Sequence, residues 1–210
     1  MIRIFVADDH ALIREGFKKL IDNEMGMKVI GEAEDGYQVI NFIQTNDCDV
    51  LVLDISMPGK NGLELLKELK ILNPKLKVLI LTIHPEERFA IRALKAGASG
   101  YLTKVSAPKE LVKAIQKVYN GGKYVSPSLA EKLASNLDMD RERIGHEALS
   151  DREFEVLRLI ASGKPLADIA DELSLSQSTV NTYRSRILQK MNLRSNADII
   201  HYAIRHNLLD

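Results

Sequence analysis

Cysteine is nearly absent from this sequence, and so are long apolar segments. Cys48 is the only cysteine among the 210 residues, which excludes an intramolecular disulfide and a zinc site built from several cysteines. The longest apolar runs, Val50–Leu53 and Val78–Leu81, fall far short of the ~18 residues that a bilayer span needs. Asp8 and Asp9 interrupt the N-terminal apolar run where a secretory signal peptide would continue. We therefore expect a cytoplasmic protein that has no membrane partner.

A net charge of either sign is also absent, since 29 basic side chains balance 29 acidic ones. The balance hides a local excess: residues 177–207 contain five basic and one acidic side chain, whereas residues 148–176 contain three basic and six acidic ones. A basic segment in a neutral protein indicates a confined contact with a polyanion such as nucleic acid. The alternative is a helix face whose charges are merely solvated.

Short runs rich in β-branched residues alternate with stretches of helical periodicity over residues 1–120. Runs that are apolar nearly throughout are typical of strands buried on both faces of a parallel sheet. The runs are Ile2–Ala7, Lys28–Ala33, Val50–Asp54, Val78–Thr82 and Gly100–Thr103. Five such β-α units predict the α/β fold class for residues 1–120, a doubly wound, five-stranded parallel sheet of the flavodoxin-like kind.

The rest of the chain divides into a polar connector and a small all-α domain. Asn120 and Gly121 form a helix stop, and residues 121–147 are predicted to be a linker that is helical over Ser128–Leu137. A capping box formed by Ser150 and Glu153 opens the second domain, residues 148–210. We predict four helices there, with a helix-turn-helix at about 166–185.

Polar side chains end or follow four of the predicted strands. Asp8 and Asp9 follow the first strand and Asp54 ends the third, while Thr82 ends the fourth and Lys104 follows the fifth. Because ligands of doubly wound sheets bind beyond the carboxyl ends of the strands, these side chains should converge. Three converging carboxylates raise one another's pKa unless a divalent cation such as Mg²⁺ relieves them. No glycine-rich phosphate loop follows the first strand, which excludes a Rossmann or P-loop site.

This combination resembles the receiver domain of bacterial two-component response regulators. The matching residues are Asp8, Asp9, Asp54–Gly59, Asn61, Gly62, Thr82, Ala96–Ala98, Gly100, Tyr101 and Lys104. The resemblance implies that Asp54 accepts a phosphoryl group as an acyl phosphate and that Lys104 pairs with the phosphoryl oxygens. It also implies Mg²⁺ ligation by Asp9, Asp54 and the backbone carbonyl of Ser56, with Asp8 assisting through water.

The same resemblance implies a conformational switch. Thr82 would move to bond the phosphoryl group, and Tyr101 would be the aromatic residue whose rotamer reports that movement. The modification adds ~1.5–2 negative charges, which is enough to bias a two-state element. Ile83 is bulkier than the small residue often found after the switch threonine, and this departure predicts an altered phosphoryl lifetime.

The second domain resembles the LuxR-type DNA-binding domain over residues 146–209. The matching residues are Leu149, Ser150, Arg152, Glu153, Glu155–Leu157, Ile169, Ala170, Leu173, Leu175, Ser176, Ser178–Tyr183, Ile187, Leu188, Lys190 and Met191. The resemblance implies that the third helix enters the major groove. The DNA contacts that we predict there are Thr179, Asn181, Thr182, Arg184 and Ser185 for bases or backbone, and Lys190 for a phosphate. From the residues alone, a small helical interaction module remains the alternative.

A receiver followed by this domain is the architecture of the NarL/FixJ response regulators. It implies that a sensor histidine kinase phosphorylates Asp54 and that phosphorylation controls homodimerisation and binding to double-stranded DNA. RNA polymerase is a further implied partner, and the chain would be no enzyme beyond promoting its own phosphorylation and dephosphorylation. Two alternatives stay open: a Mg²⁺-dependent phosphohydrolase, and a DNA-binding protein whose receiver is a dimerisation scaffold that is never phosphorylated.

Overall fold

The computed structural model describes residues 1–57, 62–131, 145–206 and 208–209, which fall into two compact units, Met1–Asp138 and Met139–Asp210. The elements of the first unit are β1 Ile2–Ala7, α1 Ala11–Asp22, β2 Met27–Ala33, α2 Gly36–Thr45, β3 Val50–Leu53, α3 Gly62–Leu72, β4 Lys77–Thr82, α4 Glu86–Lys95, β5 Gly100–Thr103 and α5 Ala107–Tyr119. All strand pairs are parallel, in the order β2-β1-β3-β4-β5, which confirms the predicted fold class.

Neighbouring strands end level with one another at one edge of this sheet. Ala7 of β1 pairs with Leu53 of β3, and Thr82 of β4 pairs with Thr103 of β5. The central strand β3 is apolar along its length because both faces of the sheet are covered, and none of its residues is more than 1% exposed. The residues that follow β1, β3 and β5 therefore begin at the same edge, as the sequence predicts.

Beyond α5 the chain returns along the outer side of β5. The Tyr101 amide donates to the Tyr124 carbonyl (2.9 Å), and the Tyr124 amide donates to the Ser99 carbonyl (3.0 Å). The hydroxyl of Ser126 then donates to the carboxylate of Glu86 at the start of α4. Residues 127–131 are helical, and the remainder of the predicted helix lies outside the described residues. The first unit thus continues past residue 120 into the segment predicted as a linker.

The second unit has the predicted all-α architecture. Its elements among the described residues are a 3₁₀ helix, Gly145–Ala148, and four α-helices, α6 Asp151–Ala161, α7 Leu166–Glu172, α8 Gln177–Met191 and α9 Asn196–Arg205. The predicted capping box is present, since the Ser150 hydroxyl accepts from the Glu153 amide and the Glu153 carboxylate accepts from the Ser150 amide. Phe154, Ile187 and Ile199 are fully buried in its core. Within the described ranges, we find no helix with the length and apolar character needed to cross a membrane.

The turn between α7 and α8 contains a strained serine. Ser174 has φ of 52°, a left-handed conformation in which a Cβ atom costs about 1–2 kcal/mol. We expect Ser174→Gly to raise the free energy of unfolding of the second unit by about 0.5–1 kcal/mol, because relief of this strain exceeds the entropy that glycine loses. Urea unfolding monitored by circular dichroism measures the difference.

Ser162 provides the matched control, because it is an exposed serine with φ of −75° at the end of α6. Ser162→Gly has no left-handed strain to relieve and should leave stability unchanged or lower it. An equal gain in both variants would contradict the explanation by backbone strain.

Candidate functional site

Two buried carboxylates meet one lysine at the carboxyl edge of the sheet. Asp8 and Asp54 are 2% and 1% exposed, and the side chain of Lys104 is 8% exposed. The Nζ atom of Lys104 lies 2.6 Å from Oδ2 of Asp8 and 2.6 Å from Oδ2 of Asp54. Three residues that are distant in sequence thus form one ion-paired cluster, and the structure brings them together as predicted.

Main-chain hydrogen bonds hold the two carboxylates in place. The Asp54 amide donates to the Ala7 carbonyl (2.9 Å), which continues the pairing of β3 with β1 past the last strand residue. The other carboxylate oxygens, Oδ1 of Asp54 and Oδ1 of Asp8, accept from the amides of Ser56 and His10, each at 2.9 Å. Each carboxylate therefore has one oxygen fixed by its own turn and one oxygen directed at Lys104.

The charges of this cluster do not balance. Burial raises the pKa of the Asp54 carboxyl, and Lys104 and the Ser56 amide offset this only in part. Burial also disfavours the charge of Lys104, but its hydrogen bonds and ion pairs with Asp54 and Asp8 outweigh burial and raise the pKa of the lysine. Two buried carboxylates thus share one ammonium group, and the Asp9 carboxylate lies beside them. Excess negative charge of this kind is what a divalent cation relieves.

The donor atoms are close enough to hold a cation together. One ligand atom from each of Asp8, Asp9, His10 and Asp54 can be chosen such that all four lie within 4.8 Å of one another. Asp9 is half-buried, so the cluster is open to solvent on its side. Carboxylate oxygens that share a half-open site fit Mg²⁺, which binds through a few protein oxygens and keeps several waters. The sequence predicts the three aspartates in this group, whereas His10 was not predicted.

Thr82 is buried beside the acidic cluster and has hydroxyl and main-chain neighbours. Its Oγ1 atom lies 3.3 Å from the Ser56 hydroxyl oxygen and 3.4 Å from the His84 amide nitrogen. Tyr101 is fully buried, and its hydroxyl donates to the His84 carbonyl (3.0 Å). Hydrogen bonds therefore link Thr82 to Tyr101 through the main chain of the β4–α4 loop. Ser56 was predicted at this site, but the contact of its hydroxyl with Thr82 was not.

The predicted DNA-binding residues lie along α8 in the second unit. Asn181, Thr182 and Ser185 are exposed, whereas Thr179 and Arg184 are half-buried. The Asn181 amide donates to the Gln177 carbonyl and the Thr182 hydroxyl to the Ser178 carbonyl, both within the helix. Arg184 donates through Nε to Oδ1 of Asn196 (2.5 Å), which ties α8 to the first residue of α9.

Lys190 lies further along α8 and has a partner in α6. Its Nζ atom is 2.6 Å from Oε2 of Glu153, whose side chain is only 3% exposed. The same Glu153 oxygen accepts from the Ser150 amide, so one atom caps α6 and pairs with α8. The capping box reveals the first role of Glu153 in the sequence. No sequence pattern reveals the second, because the two residues are 37 positions apart.

Both units match known families. Residues 4–116 match the response regulator receiver domain, and residues 147–203 match the luxR family of bacterial regulatory proteins. The response regulator UvrY of Escherichia coli strain K12 is 36% identical over 209 residues, which cover 99% of this chain and 96% of UvrY. The response regulator GacA of Pseudomonas aeruginosa is 36% identical over 211 residues, which cover 100% of this chain and 99% of GacA.

Solved structures of RcsB from Salmonella enterica serovar Typhimurium resemble the chain as well. RcsB bound to promoter rprA in the presence of phosphomimetic BeF₃⁻ has a TM-score of 0.69 and 29% identity, covering 96% of this chain and 98% of RcsB. A structure of two RcsB dimers bound to two parallel DNAs has a TM-score of 0.60, 29% identity and 96% coverage of each chain. A receiver with an acidic cluster, followed by a LuxR-type domain, defines a DNA-binding regulator of two-component systems. The chain belongs to the response regulators of the NarL/FixJ type.

Proposed function

We propose that phosphorylation of Asp54 controls homodimerisation and DNA binding by this response regulator. One observation carries the proposal: a carboxylate that is 1% exposed lies 2.6 Å from a lysine ammonium and beside two further aspartates. A carboxylate held in this way is a plausible covalent phosphoryl acceptor, and the surrounding charges supply the positioning and neutralisation that the transfer needs.

The transfer forms a bond between an Asp54 oxygen and phosphorus. In transfer from a sensor histidine kinase, the phosphorus–nitrogen bond of a phosphohistidine breaks and its electron pair leaves with the imidazole. Lys104, already 2.6 Å from Asp54 Oδ2, pairs with the phosphoryl oxygens. Asp9, Asp54 and the Ser56 carbonyl would hold Mg²⁺, and Asp8 would assist through water. When bound, this ion supplies positive charge against the carboxylates and the phosphoryl oxygens.

The hydroxyl of Thr82 transmits the phosphorylation of Asp54 to the β4–α4 loop. It exchanges its 3.3 Å contact with the Ser56 hydroxyl for a hydrogen bond to the phosphoryl group. Because the His84 amide lies against Thr82 and the His84 carbonyl accepts from Tyr101, movement of Thr82 displaces the β4–α4 loop and the partner of Tyr101 together. The phosphorylated and unphosphorylated states then differ at the start of α4, and phosphorylation shifts the population between them.

The second unit supplies the output. We propose that α8 enters the major groove and contacts DNA through Thr179, Asn181, Thr182, Arg184 and Ser185. The DNA-bound RcsB dimers support binding as a homodimer, and RNA polymerase is a further proposed partner. Lys190 remains a predicted phosphate contact, and its ammonium would have to share Glu153 with the DNA backbone. We further propose that the chain catalyses only its own phosphorylation and dephosphorylation.

Intact mass spectrometry tests this proposal. The full chain, incubated with a small acyl phosphate and Mg²⁺, should gain one phosphoryl group, and Asp54→Asn should gain none because the amide cannot form an acyl phosphate. Asp47→Asn is the matched control, since Asp47 is an exposed aspartate one strand length away from the cluster. Fluorescence anisotropy with duplex DNA should then show tighter binding after phosphorylation of the wild type and of Asp47→Asn, and no change for Asp54→Asn.

The two alternatives predict different results in the same experiment. A phosphohydrolase would release many equivalents of inorganic phosphate from a phosphate monoester, whereas repeated phosphorylation and dephosphorylation of Asp54 would consume only the acyl phosphate. A scaffold receiver would acquire no adduct from either an acyl phosphate or a phosphorylated histidine kinase. An adduct that persists in Asp54→Asn would overturn the assignment of Asp54.

A further inference from the structure

His10 directly follows the acidic pair and begins α1 without capping it. Its side chain makes no hydrogen bond to the amides of the first turn of α1, although residues at this position commonly do so. The ring is turned toward the acidic cluster instead. Its Nδ1 atom lies 2.7 Å from Oδ1 of Asp9 and 3.4 Å from Oδ1 of Asp8. The imidazole therefore contributes a nitrogen to a group of atoms that otherwise offers only oxygen.

The spacing of these atoms suits a single ion. The ring nitrogen and the chosen oxygens of Asp8, Asp9 and Asp54 lie within 4.8 Å of one another. Opposite ligands of a first-row transition metal are separated by about 4.2 Å, because each lies about 2.1 Å from the metal. Small movements of side chains would bring the most widely spaced of these donors within that separation. His10 is free to make such a movement, since 61% of its side chain is exposed.

Lys104 does not compete for the same oxygen atoms. The lysine contacts Oδ2 of Asp8 and Oδ2 of Asp54, whereas the ring of His10 contacts Oδ1 of Asp8 and Oδ1 of Asp9. The ammonium and the imidazole thus contact different oxygen atoms of the carboxylates. An ion beside His10 can be held while the ion pairs of Lys104 persist.

We infer that His10 is a further ligand of the metal site and that it favours a divalent first-row transition ion over Mg²⁺. Imidazole nitrogen suits transition ions, whereas Mg²⁺ prefers oxygen ligands and dehydrates reluctantly. The inference rests on the proposed function, because it deepens the metal site assigned there. With His10 as a ligand, the receiver would prefer a transition ion over Mg²⁺, which the three aspartates alone would not do.

Mn²⁺ is the probe for this inference, because electron spin echo spectroscopy detects a directly bonded imidazole nitrogen. The full-length protein loaded with Mn²⁺ should show that nitrogen coupling, and His10→Asn should lose it. His84→Asn is the matched control, since His84 is the other histidine among the described residues near the site. Replacement of histidine nitrogen by ¹⁵N should change the coupling in the wild type and in His84→Asn.

Calorimetric titration supplies a second readout. Loss of a ligand should weaken Mn²⁺ binding by about tenfold or more in His10→Asn, while Mg²⁺ affinity changes by less than about twofold. Mn²⁺ that binds without a bonded nitrogen, or a coupling that survives in His10→Asn, would overturn the inference and leave the proposed function intact. Failure of the folded wild type to bind either ion would overturn both.

Discussion

Lys104→Met should lower the free energy of unfolding of the first unit by about 3–5 kcal/mol at neutral pH. The reason is that the substitution leaves Asp8 and Asp54, which are 2% and 1% exposed, without the ammonium that lies 2.6 Å from both. An uncompensated buried charge is costly, and two of them share one site here. Urea unfolding is monitored by hydrogen exchange of peptides from β1 and β3. These peptides report the stability of this unit separately from that of the second unit.

Two further variants identify the cause of the stability loss in Lys104→Met. Asp54→Asn in the Lys104→Met background removes one of the uncompensated charges and should recover at least half of the loss. Lys109→Met removes an exposed lysine from the start of α5 and should change stability by less than about 0.5 kcal/mol. A loss that Asp54→Asn fails to reduce would indicate that Lys104 stabilises the unit through packing of its stem rather than through charge.

Glu153→Ala should destabilise the second unit by about 2–3 kcal/mol, because it removes a helix cap and an ion pair in one step. The carboxylate accepts from the Ser150 amide at 2.8 Å and meets Lys190 at 2.6 Å. Glu153→Gln retains an acceptor for the cap and should lose only about 1 kcal/mol. A double-mutant cycle with Lys190→Met, measured by urea unfolding, isolates the coupling between α6 and α8.

Glu153 should also make the free energy of unfolding of the second unit depend on pH. Hydrogen bonds from Lys190 and Ser150 hold the pKa of Glu153 below its ordinary value despite burial. Its stabilising contribution is therefore complete above the ordinary glutamate pKa and declines as the pH falls through the lower, folded value. Lys164 and Glu172 form an exposed pair at 2.5 Å that serves as a control, and Glu172→Gln should cost less than about 0.5 kcal/mol. Equal losses in Glu153→Gln and Glu172→Gln would refute the special role of Glu153.

Local pattern was sufficient to predict the sheet and most of its site. β3 reads as a continuous apolar run because both faces of the sheet are covered, and parallel strands place their carboxyl ends together. The meeting of Asp8, Asp54 and Lys104 follows from these two facts. The second domain was predictable for a similar reason, since its capping box and helical periodicity are local signals.

Other features depend on packing and left no local signal. Glu153 and Lys190 meet only because α6 and α8 pack together. The direction of the His10 ring is a choice between rotamers that the sequence does not specify. The left-handed conformation of Ser174, in the turn between α7 and α8, runs against the preference of its residue type.

The pairing of Tyr124 with β5 could not be predicted from the sequence either, because main-chain hydrogen bonds impose no side-chain pattern. β5 lies at the end of the strand order, and an edge strand with open amides and carbonyls can add a strand from another molecule. Tyr124 occupies the Ser99 carbonyl and the Tyr101 amide, and a Cβ at Gly100 would lie 2.8 Å from the Tyr124 Cβ. The segment that leads to the DNA-binding domain therefore also covers part of this sheet edge, and a receiver cut at residue 120 would leave the Ser99 carbonyl and the Tyr101 amide open to another strand.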